Sequence, residues 1–330
     1  MNSPSTEMSP AFWSFGNGYS EIAPGQVDHS SDNLGPMLEL ETVYSAISRG
    51  TEALVYNGQV PESEYQRMRA PFQQGEFPGP IRYGYMNVGR VVDGPSRLVG
   101  RYGFCLFPHQ RRYRVPANTV TILPQDIPPG RAVLAANLET AINGLWDGEP
   151  LVGDRIAVVG CGVVGCLVAW LAGRIAGTRV TAVDPNANRQ AVLAMLGVEW
   201  APELAQDDHD LVFHTSGQPS GLETALGLAG NEARIIEMSW YGEQVVPASL
   251  GGSFHSRRLT LRSSQVGQLN PRQLPRWSYR DRMALAIRLM ADPALDALIT
   301  GESDFEQLPD VMAELACGAS DTLCHRIRYS

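Results

Sequence analysis

The chain has 330 residues and a formal net charge of −9, with 44% hydrophobic and 18% charged residues. This is the composition of a globular protein long enough for two domains, and its acidic balance argues against a nucleic-acid-binding surface. All 26 basic residues are arginines, which excludes mechanisms that need a lysine, such as Schiff-base and pyridoxal-phosphate chemistry. No apolar run is long enough to predict a membrane span, and the N-terminus does not resemble a signal peptide, so we expect a cytoplasmic protein.

The first part of the chain is rich in short strands separated by glycine- and proline-rich turns. Residues 37–47 predict a buried strand, and residues 61–72 predict a short helix. Further short strands follow at MNVGRVVDG, FCLFPH and RYRVP. We therefore expect a small β-barrel-like unit here.

The pattern changes at Arg131, where apolar residues spaced by three and four predict a helix. Strand-like runs then alternate with helical segments, which is typical of a parallel, doubly wound sheet. The strand-like runs are IAVVG, RVTAVD, DLVFHTSG, ARIIEMSW and LTLRSSQ. Two amphipathic helices and a last strand, CHRIRY, are predicted after them.

The segment VVGCGVVG, residues 158–165, joins the first of these strands to a helix. Gly160 allows a tight turn, Gly162 lets a pyrophosphate approach the backbone, and Gly165 lets the helix pack close to the strand. The helix begins at Val163 and Val164, whose amides would face the phosphates. This arrangement predicts a dinucleotide site, and the alternative is a similar domain whose site is empty.

An acidic residue, Asp184, ends the next strand-like run. Its carboxylate would accept hydrogen bonds from the adenosine ribose and oppose a 2′-phosphate, which favours NAD(H) over NADP(H). Arg189 could reach a 2′-phosphate and keeps NADP(H) open. The five cysteines are scattered along the chain and predict neither a disulfide framework nor a zinc cluster.

Four segments resemble landmarks of the medium-chain dehydrogenase/reductase superfamily, which includes the zinc alcohol dehydrogenases. They are SAISRGTE (45–52), YGYMNVGRVVDG (83–94), LVGDRIAVVGCGVVG (151–165) and LITGESDFEQLPD (298–310). The chain is similar to the bacteriochlorophyllide a dehydrogenase-like branch. The resemblance implies an α/β protein with a GroES-like β-barrel-type catalytic domain (1–130 and 268–330) and a Rossmann dinucleotide-binding domain (131–267).

The resemblance places the family's catalytic zinc ligands at Arg49, Tyr85 and Ala136. Zinc needs Cys, His or carboxylate ligands, and none of these three side chains is one. The four-cysteine lobe that holds a structural zinc in the family has no counterpart in this sequence. We therefore predict that the chain binds no zinc.

Polar side chains near those positions could replace the metal. Tyr85 could donate a proton to a carbonyl or alkoxide oxygen, and Arg49 could hold an anionic group. Glu52 could pair with Arg49 in a structural ion pair, and Tyr85 could simply fill space. His109, in a turn-like stretch, is either a proton relay or a surface histidine.

The resemblance also assigns residues of the Rossmann domain to the cofactor. It places Ser216 and Gly217 at the adenine side, and Thr140, Trp240 and Tyr241 at the nicotinamide side. The alternative for the two aromatic residues is core or dimer packing.

Together these features predict a zinc-independent NAD(P)(H)-dependent oxidoreductase. It would transfer a hydride between nicotinamide and a carbonyl or secondary alcohol of a small polar metabolite, and the branch suggests a biosynthetic role. The alternatives are a reductase of activated carbon–carbon double bonds and a dinucleotide-binding protein without turnover. We expect a homodimer formed through segment 253–268, with no nucleic-acid or membrane partner.

Overall fold

The computed structural model describes residues 7–29, 35–205 and 208–330. The prediction that the N-terminus is not a signal peptide concerns residues 1–6 among others, and these six lie outside the described residues. The strands within it are β1 (Met8–Ser14), β2 (Ser20–Gln26), β3 (Met37–Ile47), β4 (Gln74–Gly75), β5 (Ile81–Arg82), β6 (Asn87–Asp93), β7 (Tyr102–Cys105), β8 (Arg112–Pro116), β9 (Val120–Ile122), β10 (Arg155–Val159), β11 (Arg179–Val183), β12 (Glu199–Ala201), β13 (His209–His214), β14 (Ala229–Glu237), β15 (Thr260–Ser263), β16 (Ile299–Asp304) and β17 (Cys324–Arg328).

The helices of the described residues are short, with four to fourteen residues each. They are α1 (Arg49–Tyr56), α2 (Pro129–Ala132), α3 (Ala135–Gly148), α4 (Val163–Ala172), α5 (Arg189–Met195), α6 (Pro219–Leu228), α7 (Tyr279–Leu289) and α8 (Leu308–Ala316). Among the described residues, no helix combines the length and apolar character that crossing a membrane requires.

The described chain divides into two compact units. Unit 1 takes the described part of Met1–Ala136, with Ile287–Ala291 and Ile299–Ser330; unit 2 takes Asn137–Ala286 and Asp292–Leu298. The domain limits expected from the sequence, at 130/131 and 267/268, stay a prediction.

Apart from the parallel pair β16–β17, the strand pairs of unit 1 are antiparallel, as the turn-rich N-terminal sequence predicts. One sheet has the order β2-β1-β5-β4, and a larger one has the order β16-β17-β3-β6-β7-β9, with β8 also paired to β3. The strand predicted at residues 37–47 is confirmed as β3, the centre of the larger sheet. Leu38 and Leu40 on β3 are fully buried against Val91 and Val115, so alternating apolar residues bury one face of this sheet.

Unit 2 contains a six-stranded sheet in the order β12-β11-β10-β13-β14-β15. All its strand pairs are parallel. The order reverses at β10, which is the doubly wound arrangement, so the α/β fold class predicted from the sequence is confirmed. In such sheets ligands bind outside the carboxyl ends of the strands, and the chain leaves β10, β11, β13 and β14 at that edge.

The short helix predicted for residues 61–72 is wrong. The structure has a single 3₁₀ turn, Glu62–Glu64, followed by turns. Pro61 and Pro71 bound the segment, and a proline disfavours helical geometry in the residue before it. The segment between the two prolines is short, and a short helix is marginally stable unless it packs against the rest of the protein.

Candidate functional site

The turn after β10 requires glycine at two positions. Gly160 has φ +98°, and a Cβ atom there would lie 2.5 Å from the Cα of Ser216. A Cβ atom on Gly165 would collide with the carbonyl oxygen of Gly160. These two glycines therefore serve the protein's own packing, in line with the roles the sequence predicts for them.

Gly162 is different, because none of the residues that the structure describes requires a glycine there. Its φ is −69°, and a Cβ atom would meet no heavy atom within 4 Å. The residue caps the N-terminus of α4, directly before Val163 and Val164. Open space at a helix N-terminus fits an anionic group such as a diphosphate, which backbone N–H groups and the helix dipole would stabilise.

Asp184, directly after β11, ties the glycine turn to the neighbouring strand. Its Oδ2 accepts the backbone N–H of Cys161 at 2.7 Å, and its Oδ1 accepts that of Asn186 at 2.9 Å. The side chain is half-buried. Arg189, the first residue of α5, is buried. The acid therefore lies beside the turn, where the sequence places it.

The remaining unit 2 residues singled out from the sequence follow β13 and β14. Ser216 and Gly217 come after β13, and Trp240 and Tyr241 come after β14; all four are half-buried. They thus share the carboxyl edge of the parallel sheet. Thr140 is a half-buried residue of α3.

Sequence reasoning did not single out two polar residues at that edge, of which His214 is buried and Glu237 half-buried. His214 ends β13 and Glu237 ends β14, and His214 Nδ1 lies 2.7 Å from Glu237 Oε2. The same ring's Nε2 lies 2.6 Å from Ser216 Oγ. The available signal was a polar residue closing an otherwise apolar strand, at the edge where such sheets bind ligands.

Unit 1 contains a buried carboxylate–imidazole pair. Glu52 is 4% exposed and His109 1% exposed, and His109 Nε2 lies 2.9 Å from Glu52 Oε2. The other carboxylate oxygen, Oε1, accepts the backbone N–H of Ser48 at 2.7 Å. The surface-histidine interpretation of His109 is therefore wrong, and Glu52 takes His109 rather than Arg49 as its partner.

The pair extends into a chain of hydrogen bonds. His109 Nδ1 lies 2.7 Å from Ser45 Oγ, which lies 2.9 Å from the hydroxyl of Tyr329. The two ring nitrogens of His109 therefore connect Glu52 on one side with Ser45 on the other. Burial raises the pKa of Tyr329, so its hydroxyl keeps its proton and can donate to Ser45.

Tyr85 lies on the other side of Ser48. Its hydroxyl donates to Ser48 Oγ at 2.7 Å, and burial raises the pKa of Tyr85 to about 12. The phenol is therefore protonated at neutral pH. The preceding Gly84 has φ +122°, and a Cβ atom there would lie 3.0 Å from His109 Cδ2. Glycine at this position therefore avoids a close contact between residue 84 and the His109 imidazole.

The side chains at the family's ligand positions do not fit a zinc ion. Arg49 begins α1 and is half-buried, Tyr85 donates its hydroxyl to Ser48, and Ala136 has no ligand atom. Within residues 7–29, 35–205 and 208–330, no three His, Cys, Asp or Glu side chains are gathered as metal ligands would be. A tyrosine, an arginine and an alanine offer no donor set for this metal.

The chain is similar in sequence to curated dehydrogenases over part of its length. It is 25% identical over 218 residues to the L-threonine 3-dehydrogenase of Bacillus velezensis, a match that covers 62% of this chain and 61% of that protein. It is 27% identical over 139 residues to the Bacillus subtilis enzyme of the same name, covering 38% and 40%. The chain thus spans about three fifths or less of these relatives. No family model matches it.

Solved structures of dehydrogenases share the fold over nearly the whole chain. L-idonate 5-dehydrogenase from Escherichia coli superposes with a TM-score of 0.77 at 14% identity, covering 98% of this chain and 99% of that one. A dehydrogenase from Sinorhizobium meliloti 1021 bound to NADP gives 0.75 at 15% identity, with the same coverage. An alcohol dehydrogenase from Thermus gives 0.73 at 17%, covering 97% and 100%. The fold is that of the zinc-type alcohol dehydrogenases and their medium-chain relatives.

Proposed function

We propose that this chain, with its medium-chain dehydrogenase/reductase fold, is an NAD(P)(H)-dependent oxidoreductase that works without zinc. It would interconvert a carbonyl and a secondary alcohol on a small polar metabolite. The observation that carries the proposal is the open space at Gly162, because packing accounts for Gly160 and Gly165 but not for this glycine. A glycine that leaves room in front of a helix N-terminus supports diphosphate binding.

Unit 2 would hold the dinucleotide. The amides of Val163 and Val164 would bind the diphosphate, and Asp184 would bind the adenosine ribose. Each oxygen of the Asp184 carboxylate accepts one backbone N–H and keeps a lone pair for a ribose hydroxyl. Its negative charge would repel a 2′-phosphate, which favours NAD(H). The nicotinamide ring, when bound, supplies the chemistry of hydride transfer.

Unit 1 would supply the proton. The protonated phenol of Tyr85 is suited to donate to a carbonyl oxygen as negative charge develops on it. Ser48, which accepts from Tyr85, could pass a proton on through its own hydroxyl. Arg49 would bind a polar or anionic group of the substrate through its planar guanidinium.

Glu52 and His109 would act as positioning residues. Glu52 holds the backbone of Ser48, the residue before α1, and His109 holds Glu52. Because both are almost fully buried, they fix Ser48 and the start of α1 rather than meet the substrate. The zinc-free site therefore rests on hydrogen-bond donors in place of a Lewis acid.

The test is a titration of the whole chain with NADH and NADPH, followed by a screen of alcohols, ketones and enones for nicotinamide oxidation or reduction. We expect binding of NADH tighter than that of NADPH, and turnover with a polar ketone or secondary alcohol. Binding of neither cofactor would refute the proposal, and a preference for NADPH would refute the role of Asp184. Turnover of enones alone would indicate a double-bond reductase, and binding without turnover a non-catalytic protein.

We further propose that the protein acts in the cytoplasm as a homodimer. The parallel sheet ends in the edge strand β15, within the predicted interface 253–268, and Leu261 on that strand is 36% exposed. An exposed strand edge favours pairing with another chain. Light scattering after size-exclusion chromatography measures the molar mass in solution, and the mass of a monomer would contradict the proposed homodimer.

A further inference from the structure

A buried histidine and a half-buried glutamate in unit 2 set the direction of two hydroxyl groups at the carboxyl edge of the sheet. We propose that His214 and Glu237 hold Ser216 and Tyr241 as hydrogen-bond acceptors for O–H or N–H donors on the nicotinamide half of the dinucleotide. This inference rests on the proposed function, and it names residues that would position the cofactor rather than take part in the reaction.

The geometry connects all four side chains. His214 has no exposed surface, and its two ring nitrogens lie 2.7 Å from Glu237 Oε2 and 2.6 Å from Ser216 Oγ. Tyr241 donates its hydroxyl to the same Glu237 oxygen at 3.1 Å. The second oxygen, Oε1, accepts the backbone N–H of Ser239 at 2.7 Å. One carboxylate therefore anchors both hydroxyls, Tyr241 directly and Ser216 through the imidazole.

The charge on Glu237 sets the direction of each hydrogen bond. Burial alone would raise the pKa of Glu237, but the hydrogen bonds from His214 and Ser239 bring it below its usual value, so the group is a carboxylate at neutral pH. A carboxylate only accepts, so His214 donates through Nδ1 and, with a neutral ring, accepts at Nε2. Ser216 Oγ has two acceptors in reach, this nitrogen at 2.6 Å and the Gln218 carbonyl at 3.4 Å, and the shorter contact favours donation to His214.

The hydroxyls of Ser216 and Tyr241 thus donate their hydrogens to other protein groups, and their oxygen lone pairs can accept from a ligand. Burial and the nearby Glu237 carboxylate raise the pKa of Tyr241, so its hydroxyl keeps the proton that it donates. Ser216 Oγ also accepts the backbone N–H of Gln218 at 3.1 Å, which leaves it one lone pair. Both side chains are half-buried, so a ligand can reach them. What they can bind is a hydrogen-bond donor, such as a ribose hydroxyl or a carboxamide.

Local packing is adapted to this arrangement. A Cβ atom on Gly221, in the first turn of α6, would collide with Ser216 Oγ and lie 2.5 Å from His214 Nε2. On its other side, Ser216 lies against Gly160 of the glycine turn. The serine hydroxyl therefore has a fixed position beside the place proposed for the diphosphate.

The strand order selects the half of the dinucleotide. Asp184 follows β11 on one side of β10, whereas Ser216 and Tyr241 follow β13 and β14 on the other side. If Asp184 binds the adenosine ribose, a dinucleotide crossing the turn after β10 extends its nicotinamide half over β13 and β14. The sheet thus favours the nicotinamide half for Ser216, in place of the adenine side that the family resemblance implies.

The test is calorimetric titration of the whole chain with NADH, ADP-ribose and AMP. We expect Ser216→Ala and Tyr241→Phe each to weaken NADH binding about 5- to 10-fold, the effect of one ordinary hydrogen bond, and to leave AMP binding unchanged. A loss also seen with ADP-ribose assigns the contact to ribose hydroxyls, and a loss seen only with NADH assigns it to the carboxamide. The matched controls are Ser220→Ala and Tyr279→Phe at exposed positions, which should bind as the parent does.

A further variant, Glu237→Gln, keeps both hydroxyls but disturbs their direction. An amide cannot accept from His214, Tyr241 and Ser239 together, so Ser216 can turn its hydrogen toward the ligand. We expect a loss of NADH affinity like that of Ser216→Ala, with thermal unfolding used to verify the fold. NADH binding like the parent's by Ser216→Ala and Tyr241→Phe would overturn this inference but not the proposed function. A loss of AMP binding as large as the loss of NADH binding would do the same. A parent protein that binds neither NADH nor ADP-ribose would overturn the proposed function as well.

Discussion

At the scale of single residues, Glu52 and His109 of unit 1 form a hydrogen bond that is almost fully buried. Glu52 and His109 are bonded to each other and are almost fully buried, so removal of the imidazole leaves Glu52 Oε2 buried without this partner while Oε1 still accepts from Ser48. We expect His109→Leu to lower the free energy of unfolding by about 3–5 kcal/mol, measured by urea denaturation. The control is Gln59→Leu, at an exposed position of unit 1, which should change it by less than about 0.5 kcal/mol. A loss below about 1 kcal/mol for His109→Leu would show that the pair is not mutually dependent.

Tyr85 has a separate role, since it is the proposed proton donor. Tyr85→Phe removes only the hydroxyl that donates to Ser48. Loss of a general acid typically costs about 10²- to 10⁴-fold in rate, so we expect kcat to fall by at least ~10²-fold while NADH affinity stays unchanged. Tyr102→Phe, at an exposed tyrosine, is the control. Unchanged turnover would remove Tyr85 from the mechanism.

Glu237 makes stability depend on pH in a defined direction. Its pKa in the folded chain is below the usual value of 4.5, because hydrogen bonds from His214 and Ser239 outweigh the effect of burial. Its contribution is therefore fully present above pH 4.5 and is lost as the pH falls through the lowered value. We expect the difference in unfolding free energy between the parent and Glu237→Gln to shrink as the solution is acidified below that point. A difference that grows on acidification would contradict the direction of the shift.

The sequence identified Tyr85, Glu52 and Asp184 but not how they are held. His109 and His214 are buried by contacts from residues distant in the chain, Glu52 and Glu237, and no local pattern reveals such pairing. A histidine in a turn-like stretch favours an exposed position by composition alone, and the tertiary hydrogen bond overrides that preference. Candidate residues could therefore be proposed from the sequence, whereas their hydrogen-bond partners could not.

At the level of elements, the glycine turn separates packing from ligand binding. Gly165→Ala would press a methyl group against the Gly160 carbonyl where α4 meets β10, whereas Gly162→Ala would meet open space. We expect Gly165→Ala to destabilise the fold by at least ~1–3 kcal/mol, and Gly162→Ala to unfold like the parent but bind NADH at least ~10-fold more weakly. Urea denaturation and NADH titration on both variants measure this. Parent-like NADH binding by Gly162→Ala would show that no ligand uses that space.

Element prediction succeeded where a hydrophobic pattern and its boundaries agreed. Strand β11 lies within the predicted run RVTAVD, and β10 and β13 each begin one residue before the runs IAVVG and DLVFHTSG. The apolar runs of β10 and β11 are closed by Gly160 and Asp184. The segment 61–72 failed because its helix-favouring residues are bounded by prolines and have no packed apolar face. Short edge strands such as β12, with three residues, are too short to show an alternation of apolar and polar residues that would predict them.

At the scale of the whole molecule, the two units differ in how their side chains relate to the proposed function. Unit 2 has a glycine turn with open space at Gly162, and Asp184 after β11 is bonded to that turn. The family resemblance places Arg49, Tyr85 and Ala136 of unit 1 at the metal-ligand positions of the zinc alcohol dehydrogenases. The proposed function interprets these three residues, with the chain of hydrogen bonds nearby, as a changed mechanism rather than an abandoned site.

This contrast predicts the metal content of the protein. We expect purified chain to contain well under one zinc per molecule by mass-spectrometric metal analysis, and a chelator to leave NADH binding and turnover unchanged. The triple variant Arg49→Cys, Tyr85→His, Ala136→Cys restores a catalytic donor set and serves as the positive control, with zinc uptake expected only there. One tightly bound zinc per parent chain would place the metal on other ligands and refute the zinc-free mechanism. Zinc uptake by the variant beside a metal-free parent would trace the difference to these three side chains, because the rest of the fold is common to both.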